Sequence, residues 1–351
     1  MPNYTKRNVT EILDSRDGLI KIKLDDGSRA YNIIQNSGDV EVGDDVIVNT
    51  TAIDLALGTG GWHFVLWNLK KSDLSIKSKG HIMKLRYSAL QLESGVAEEF
   101  DNYPKENSLK GAYVIAAPLH SQIAPIVTLL KNKKPNLRIA VAISDSAALP
   151  LAISDLMHTL KEKNLVDTTI TFGHAYGGDI EAINIFTALL SARNVAKADV
   201  IIVSMGPGIV GTSTEFGFTG IDVGYHLDTA KSLGAKTIGI LRSSSADPRE
   251  RHQGISHHSM TTFSKATHLS HILGLIDNDE NYSKIMDDQI KKSTIASSHE
   301  IIKVHKVGIL KMMEDIDLNV TSMGRKANED ELFFEAAAAG AQIVLNDLEN
   351  V

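Results

Sequence analysis

The sequence predicts an α/β protein with a small N-terminal β barrel, a mostly parallel, open, Rossmann-like α/β sheet and a C-terminal helical segment. Three observations carry this prediction. Five apolar runs, 112–117, 138–143, 168–172, 199–204 and 236–241, alternate with helix-length segments between 111 and about 275, the signature of a parallel sheet. Residues 1–78 instead show short alternating runs at the spacing of a barrel. Each of the five runs also ends in a loop rich in Gly, Ser, Asp, His or Arg, and open α/β sheets bind ligands outside the carboxyl ends of their strands. The implied domains are a barrel over 1–78, an α/β ligand-binding core over 79–280, and a helical segment over 281–351 that packs on the core.

In the barrel, Leu19 to Leu24 alternates and Asp25-Asp26-Gly27 reads as a hairpin turn. Asn36-Ser37-Gly38-Asp39 and Gly43-Asp44-Asp45 punctuate the next strands, and Gly58-Thr59-Gly60-Gly61 precedes an alternating Trp62, Phe64, Leu66. The polar stretch 70–79 reads as a linker. Residues 81–87 then read as a strand, with Lys84 and Arg86 on one side, either solvated or aimed at an anion. In the core, a helix is expected over 179–193, capped by Asp179. Past 281 the periodicity is mixed until a last helix, for which Asn328 is the expected N-cap. Its body, 332–341, is apolar nearly all round and so is expected to be buried.

Composition narrows the function. A net charge of −7 argues against a nucleic-acid partner or an anionic membrane surface, both of which need a basic footprint. With no cysteine, thiolate nucleophiles and Cys-ligated zinc are excluded. The N-terminus has no signal-peptide pattern and no run reaches the length of a membrane span, so a cytoplasmic protein is expected.

Two loops carry most of the site chemistry. Gly206-Pro207-Gly208-Ile209-Val210-Gly211 is a G-x-G-x-x-G directly after an apolar run, with Thr212 next. Gly206, Gly208 and Gly211 would permit close approach of phosphate. The following run ends at Arg242, which suits the 2′-phosphate of NADP. Pro207 removes one donor and no helix is evident before about Asp222, so another phosphate or carboxylate ligand, or a purely structural loop, fits as well. The second loop, 246–259, places Arg249, Arg251, His252, His257 and His258 within 17 residues of Arg242. Guanidinium forks match carboxylate or phosphate oxygens. Adjacent His257 and His258 are expected to point apart on regular structure, and no H-x-x-x-H or H-E-x-x-H pair is present, so no metal site is assigned. Smaller signals are His174 and Tyr176 in Gly173–Asp179, Asp145 in Ser144-Asp145-Ser146, His120, and Arg325, either folded back to the anion site or paired with Glu329 or Asp330.

The segments Gly80–Tyr87, Gly206–Gly220, Asp247–Ser259 and Thr321–Arg325 with Phe333-Phe334 together resemble an uncharacterised bacterial family, domain of unknown function 3866. The resemblance covers nearly the whole chain. Ser259 and Ser322 stand where threonine is expected in the family, a hydroxyl being kept at both. It implies a bacterial source and no catalytic residues. The residues themselves suggest an enzyme for a small anionic molecule, with His174 or His257 as acid/base, oriented by Asp145 or Asp179. Gly206, Gly208, Gly211, Thr212, Arg242, Arg249, Arg251, His258 and Arg325 would bind the ligand. NADP is the cofactor the motif admits. The other reading is a metabolite sensor or homo-oligomeric assembly protein, its contacts made by the barrel and the Ala-rich final helix.

Overall fold

The computed structural model describes residues 2–57, 60–76, 80–101, 103–277 and 280–350. The first half of the Gly58–Gly61 turn and the linker end at 77–79 lie outside them. Strands β1 (Tyr4–Arg16), β2 (Leu19–Leu24), β3 (Arg29–Ile33), β4 (Asp45–Asn49) and β5 (Trp62–Asn68) close a barrel in the order β1-β2-β3-β5-β4. Alternation fills it: Ile20, Ile22 and Leu24 point inward against Val9, Val46, Val48 and Val65. Leu19 and Ile33 turn instead to the core and pack on Tyr176. Its hydroxyl accepts a hydrogen bond from Asn36 Nδ2 at 2.7 Å. Arg16 and Lys21 both reach Asp155 at 2.7 Å. Tyr176 is thus the post on which the barrel docks.

The core is one eight-stranded sheet, all parallel. Its strands are β6 (Tyr113–Ala116), β7 (Ile139–Ser144), β8 (Thr168–Thr171), β9 (Ile180–Glu181), β10 (Val200–Met205), β11 (Lys236–Ile240), β12 (Ile272–Asp277) and β13 (Glu300–His305). Their order is β9-β8-β7-β10-β6-β11-β12-β13. Helices α1 (Ile123–Lys133), α2 (Asp155–Glu162), α3 (Ile185–Asn194), α4 (Asp222–Ser232), α5 (His257–Lys265), α6 (Glu280–Lys291), α7 (Ile309–Asp315) and α8 (Glu331–Glu349) complete it. Period-2 alternation splits the core. Ile115 and Ile202 face the α1 and α8 side, whereas Val114, Ile201 and Val203 face α3. On β11, Ile238 and Ile240 meet α8 while a Cβ on Gly239 would strike Phe263 of α5.

Several elements differ from expectation. Residues 180–181 form an edge strand beside β8, and α3 starts only at Ile185, because Asn184 accepts from the Thr187 N–H as its cap. Asp179 accepts from the backbone and hydroxyl of Thr169 instead. Of 81–87 only Met83–Lys84 is strand, since Leu85 and Tyr87 adopt φ of 51° and 60°. The segment beyond 281 supplies the eighth strand as well as helices. The N-cap position of α8 is Asp330, not Asn328, which lies in a preceding 3-10 turn. The apolar body of α8 is buried within the chain. A Cβ on Gly340 would stand 2.5 Å from Ile240 Cδ1, so the helix lies too close to β11 to take one there. Buried Glu335 accepts from the N–H groups of Val307 and Ile309, satisfying donors at the start of α7. A helix so enclosed has no apolar face left for self-association. Among the described residues no helix is long and apolar enough to cross a membrane.

Candidate functional site

Because every strand is parallel, all the polar loops leave on one edge. From β6 the chain moves outward through β7 and β8 to β9, returns to β10 beside β6, and continues to β11, β12 and β13 on the other side. The neighbours β6 and β10 therefore send their exit loops in opposite directions, which opens a crevice at the switch in strand order. A cleft of about 350 Å³ lies there. Its walls are His120 and Ser121 after β6, Gly206 to Ile209 after β10, Asp155 and Thr159 of α2, and Leu318 to Met323. Ser121 Oγ donates to Ser322 Oγ at 3.0 Å, tying the C-terminal segment over the cleft. Gly206 has no room for a side chain, since a Cβ would lie 2.5 Å from the Ala148 carbonyl oxygen.

The glycine loop is not a dinucleotide turn. After Gly208 it forms a hairpin-like excursion, bridged between Gly211 and Phe218, before the turn that leads into α4. Thr212 is exposed and bonded to Thr214, away from the cleft. Gly211 packs on His258, where a Cβ would come within 3.3 Å of Cε1. Arg242 is 4% exposed and turned onto Asp247, so it does not present itself to a 2′-phosphate.

Next to the cleft, the loop after β11 builds a charge cluster. Asp247 is fully buried and accepts from Arg249 Nε at 2.9 Å and Nη2 at 2.8 Å, and lies 3.3 Å from Arg242 Nη2 and 3.5 Å from Arg325 Nη2. Burial alone would raise this carboxyl. The hydrogen bonds and charge of Arg249 overcome it and hold Asp247 far below the usual carboxylate range. Arg325 Nε also donates to Asp330 at 3.2 Å, so Arg325 pairs with Asp330 and reaches the arginine cluster as well. Arg251 is exposed and makes no ion pair among the described residues. Three guanidiniums thus face two carboxylates, and Arg251 adds its charge near His257 and His258, a local excess of positive charge in an acidic chain.

The same loop gathers His252, His257 and His258. A two-stranded ribbon, Ser243–Ser244 with Gly254–Ile255, folds the loop back so that His252 lies over the first turn of α5. The adjacent histidines do not point apart: their ring centroids are 4.2 Å from each other, and both are about 5 Å from that of His252. Stacking on Phe218 at 4.0 Å turns His258 inward. Burial first, then neighbouring positive charges, lowers His252 and His258 to about 3 and His257 in the same direction.

The other expected groups sit elsewhere. Asp145 accepts from the backbone N–H of His174 at 2.8 Å, so it does not orient that imidazole. His174 Nδ1 accepts from the Leu85 N–H at 3.0 Å. No helix follows Gly173–Asp179 directly, which removes the expected anion site there. Lys84 is not solvated and is not aimed at a strand-end loop of the Arg/His cluster. It is buried on Glu181 Oε2 at 2.5 Å and on the carbonyls of Thr171 and Ala175. The pair His174 and Asp145 therefore belongs to the β7–β8 side, and the Arg/His cluster to the β11 side. Sequence reading missed Asp247 as the shared counter-charge and His252 as a member of the trio, while the Arg325–Asp330 pair is one of its two alternatives for Arg325. His252-x-x-x-x-His257-His258 and the Asp247-Pro248-Arg249 turn were the available signals.

His120 forms part of the cleft wall with both ring nitrogens engaged, Nδ1 at 2.7 Å from the Met205 carbonyl and Nε2 at 2.6 Å from Ser154 Oγ. Ser154 Oγ also accepts from the Met157 N–H as the cap of α2. Desolvation lowers His120 to about 4, and does the same to His226, whose Nδ1 has no partner. A histidine whose folded pKa lies below its unfolded value leaves stability intact above about pH 6.5 and withdraws it as pH falls towards the folded value. Unfolding near pH 5 should therefore take up about two protons from this pair alone. Equilibrium unfolding at several pH values reads this as a slope, and His120→Gln with His226→Gln should lessen it by about two protons.

A family model described as protein of unknown function (DUF3866) matches residues 29–341. No curated protein matches the chain.

Proposed function

The chain belongs to the DUF3866 family of proteins of unknown function, and we propose that this one is an enzyme that binds a small anionic, phosphate- or carboxylate-bearing molecule at the carboxyl edge of its sheet. The observation that carries the reading is the excess of guanidinium over carboxylate beside the strand-switch cleft. Arg242, Arg249 and Arg325 are held by Asp247 and Asp330, which fixes their forks, while Arg251 is left uncompensated. Cations already held in place bind an anion without first being ordered. The small hydrophobic recess lined by Arg242 and His258 shares Leu119 and Ile209 with the cleft wall, so the charge cluster borders the space where a ligand would sit. Three imidazoles gathered beside those cations, rather than cations alone, favour an enzyme over simple capture. A cytoplasmic setting and self-association remain part of this proposal.

Phosphate, pyrophosphate and citrate in excess are expected to raise the melting temperature of the EDTA-treated protein. At about 100 times the dissociation constant, binding stabilises by about 2.7 kcal/mol. Arg251→Ala should weaken that binding at least several-fold without loss of stability, because Arg251 supports no buried partner. Unchanged affinity in an Arg249→Ala/Arg251→Ala double variant would remove the anion site.

A further inference from the structure

We infer that His252, His257 and His258 form a metal site for a divalent transition ion of the zinc class. The inference goes beyond anion binding and does not rest on it. His252 is 1% exposed, yet its Nε2 has no hydrogen-bond partner. Nε2 of His257 and both ring nitrogens of His258 are likewise buried without one. Buried polar atoms are almost always paired, so several orphaned nitrogens in one cluster call for an explanation. One atom from each ring can be chosen so that all three lie within 4.8 Å of one another. Tetrahedral ligands at Zn–N distances of about 2.0–2.1 Å stand roughly 3.4 Å apart, so modest ring rotations close the set.

The surroundings suit ligands. Each ring of the trio keeps at least one buried nitrogen free of any hydrogen bond and so able to face an ion. His252 Nδ1 is 2.7 Å from Ser256 Oγ, which also accepts from the His258 N–H. With Nδ1–H donated to Ser256, His252 Nε2 presents its lone pair, the usual second contact of a ligating histidine. Phe218 stacking fixes the His258 ring. Three protein nitrogens leave a coordination position open, as catalytic rather than structural zinc sites do. The nearby arginines oppose a bare cation, but Asp247 and Asp330 already offset two of them. Residual positive charge favours an anion, hydroxide or substrate, on the open position.

The test uses tag-free full-length protein, stripped with EDTA, and Zn²⁺ or Co²⁺ alone. One ion per chain by mass spectrometry, a raised melting temperature and a tetrahedral Co²⁺ absorption band are expected. His257→Ala and His258→Ala should each cost more than the roughly 10–100-fold that losing an outer partner costs. His257→Gln and far-ultraviolet circular dichroism control for folding. Substoichiometric metal, or wild-type affinity in a folded His257→Ala/His258→Ala protein, overturns the site. So does a trio that binds phosphate in EDTA and ignores metal, an outcome that leaves the anion reading standing.

Discussion

Asp247→Asn is expected to destabilise the protein by about 3–5 kcal/mol, because it leaves buried cations without their anion. The amide keeps the shape, so little packing is lost. Arg242, only 4% exposed, cannot turn to water, whereas Arg249 has a side chain 42% exposed and can relax outward. The penalty therefore falls mainly on Arg242 and Arg325. Burial lowers Arg242 with Asp247 opposing, but a guanidinium keeps its charge at neutral pH, so deprotonation gives no escape. Urea unfolding should show a lower midpoint at unchanged slope. Arg242→Met in the Asp247→Asn background should recover part of the loss. The pH dependence follows from sign. The native carboxyl lies below its unfolded value, so its contribution is complete above about pH 5 and fades as pH falls through the folded value. The variant should lack that acid-range slope. A loss under about 1 kcal/mol would mean the arginines do not depend on this carboxylate.

How much of this was legible is best judged residue by residue. The parallel sheet was, because strands buried on both faces read as continuous apolar runs, and 112–117 and 199–204 differ from the observed strands only at their ends. The barrel was, through alternation and turn residues. The Arg/His loop was visible as composition, but its internal geometry was not. Adjacent histidines diverge on an ideal helix; here they lie at the first turn of α5, under a loop folded back by a two-residue ribbon that no periodicity marks. Asp145 is one of the two acids that the sequence offers to orient His174 or His257, yet its bond runs to the His174 backbone N–H, which side-chain identity cannot reveal. Lys84 was misplaced because alternation across 81–87 presumes extended backbone, and Leu85 and Tyr87 break it with positive φ.

Lys84 supports the second large expectation. Lys84→Met should cost about 3–5 kcal/mol, as expected when one partner of a buried ion pair is removed. The ammonium has three hydrogens and meets three acceptors: Glu181 Oε2, the Thr171 carbonyl and the Ala175 carbonyl. Removing it orphans the Ala175 carbonyl, leaves the Thr171 carbonyl with only the Ala182 N–H, and leaves Glu181 Oε2 with only the Thr171 hydroxyl at 2.7 Å. Glu181→Gln removes the charge and keeps an acceptor for only one of the two donors, the Thr171 hydroxyl or the Gly177 N–H. The double variant should therefore lose less than the sum of the singles, with a coupling of about 0.5–3 kcal/mol. Burial lowers the Lys84 pKa and Glu181 opposes it, so the unfolded chain binds more protons just below about pH 10.4 and stability should rise with pH there. The variant should lose that rise. Ala175 and Tyr176 belong to the loop that Lys84 pins, and Tyr176 is where the barrel docks. Their amides should exchange faster in Lys84→Met, and the barrel amides with them if the docking depends on this cation. Faster exchange at 175–176 with an unmoved barrel would mean that Arg16 and Lys21 on Asp155 hold the two parts together without it.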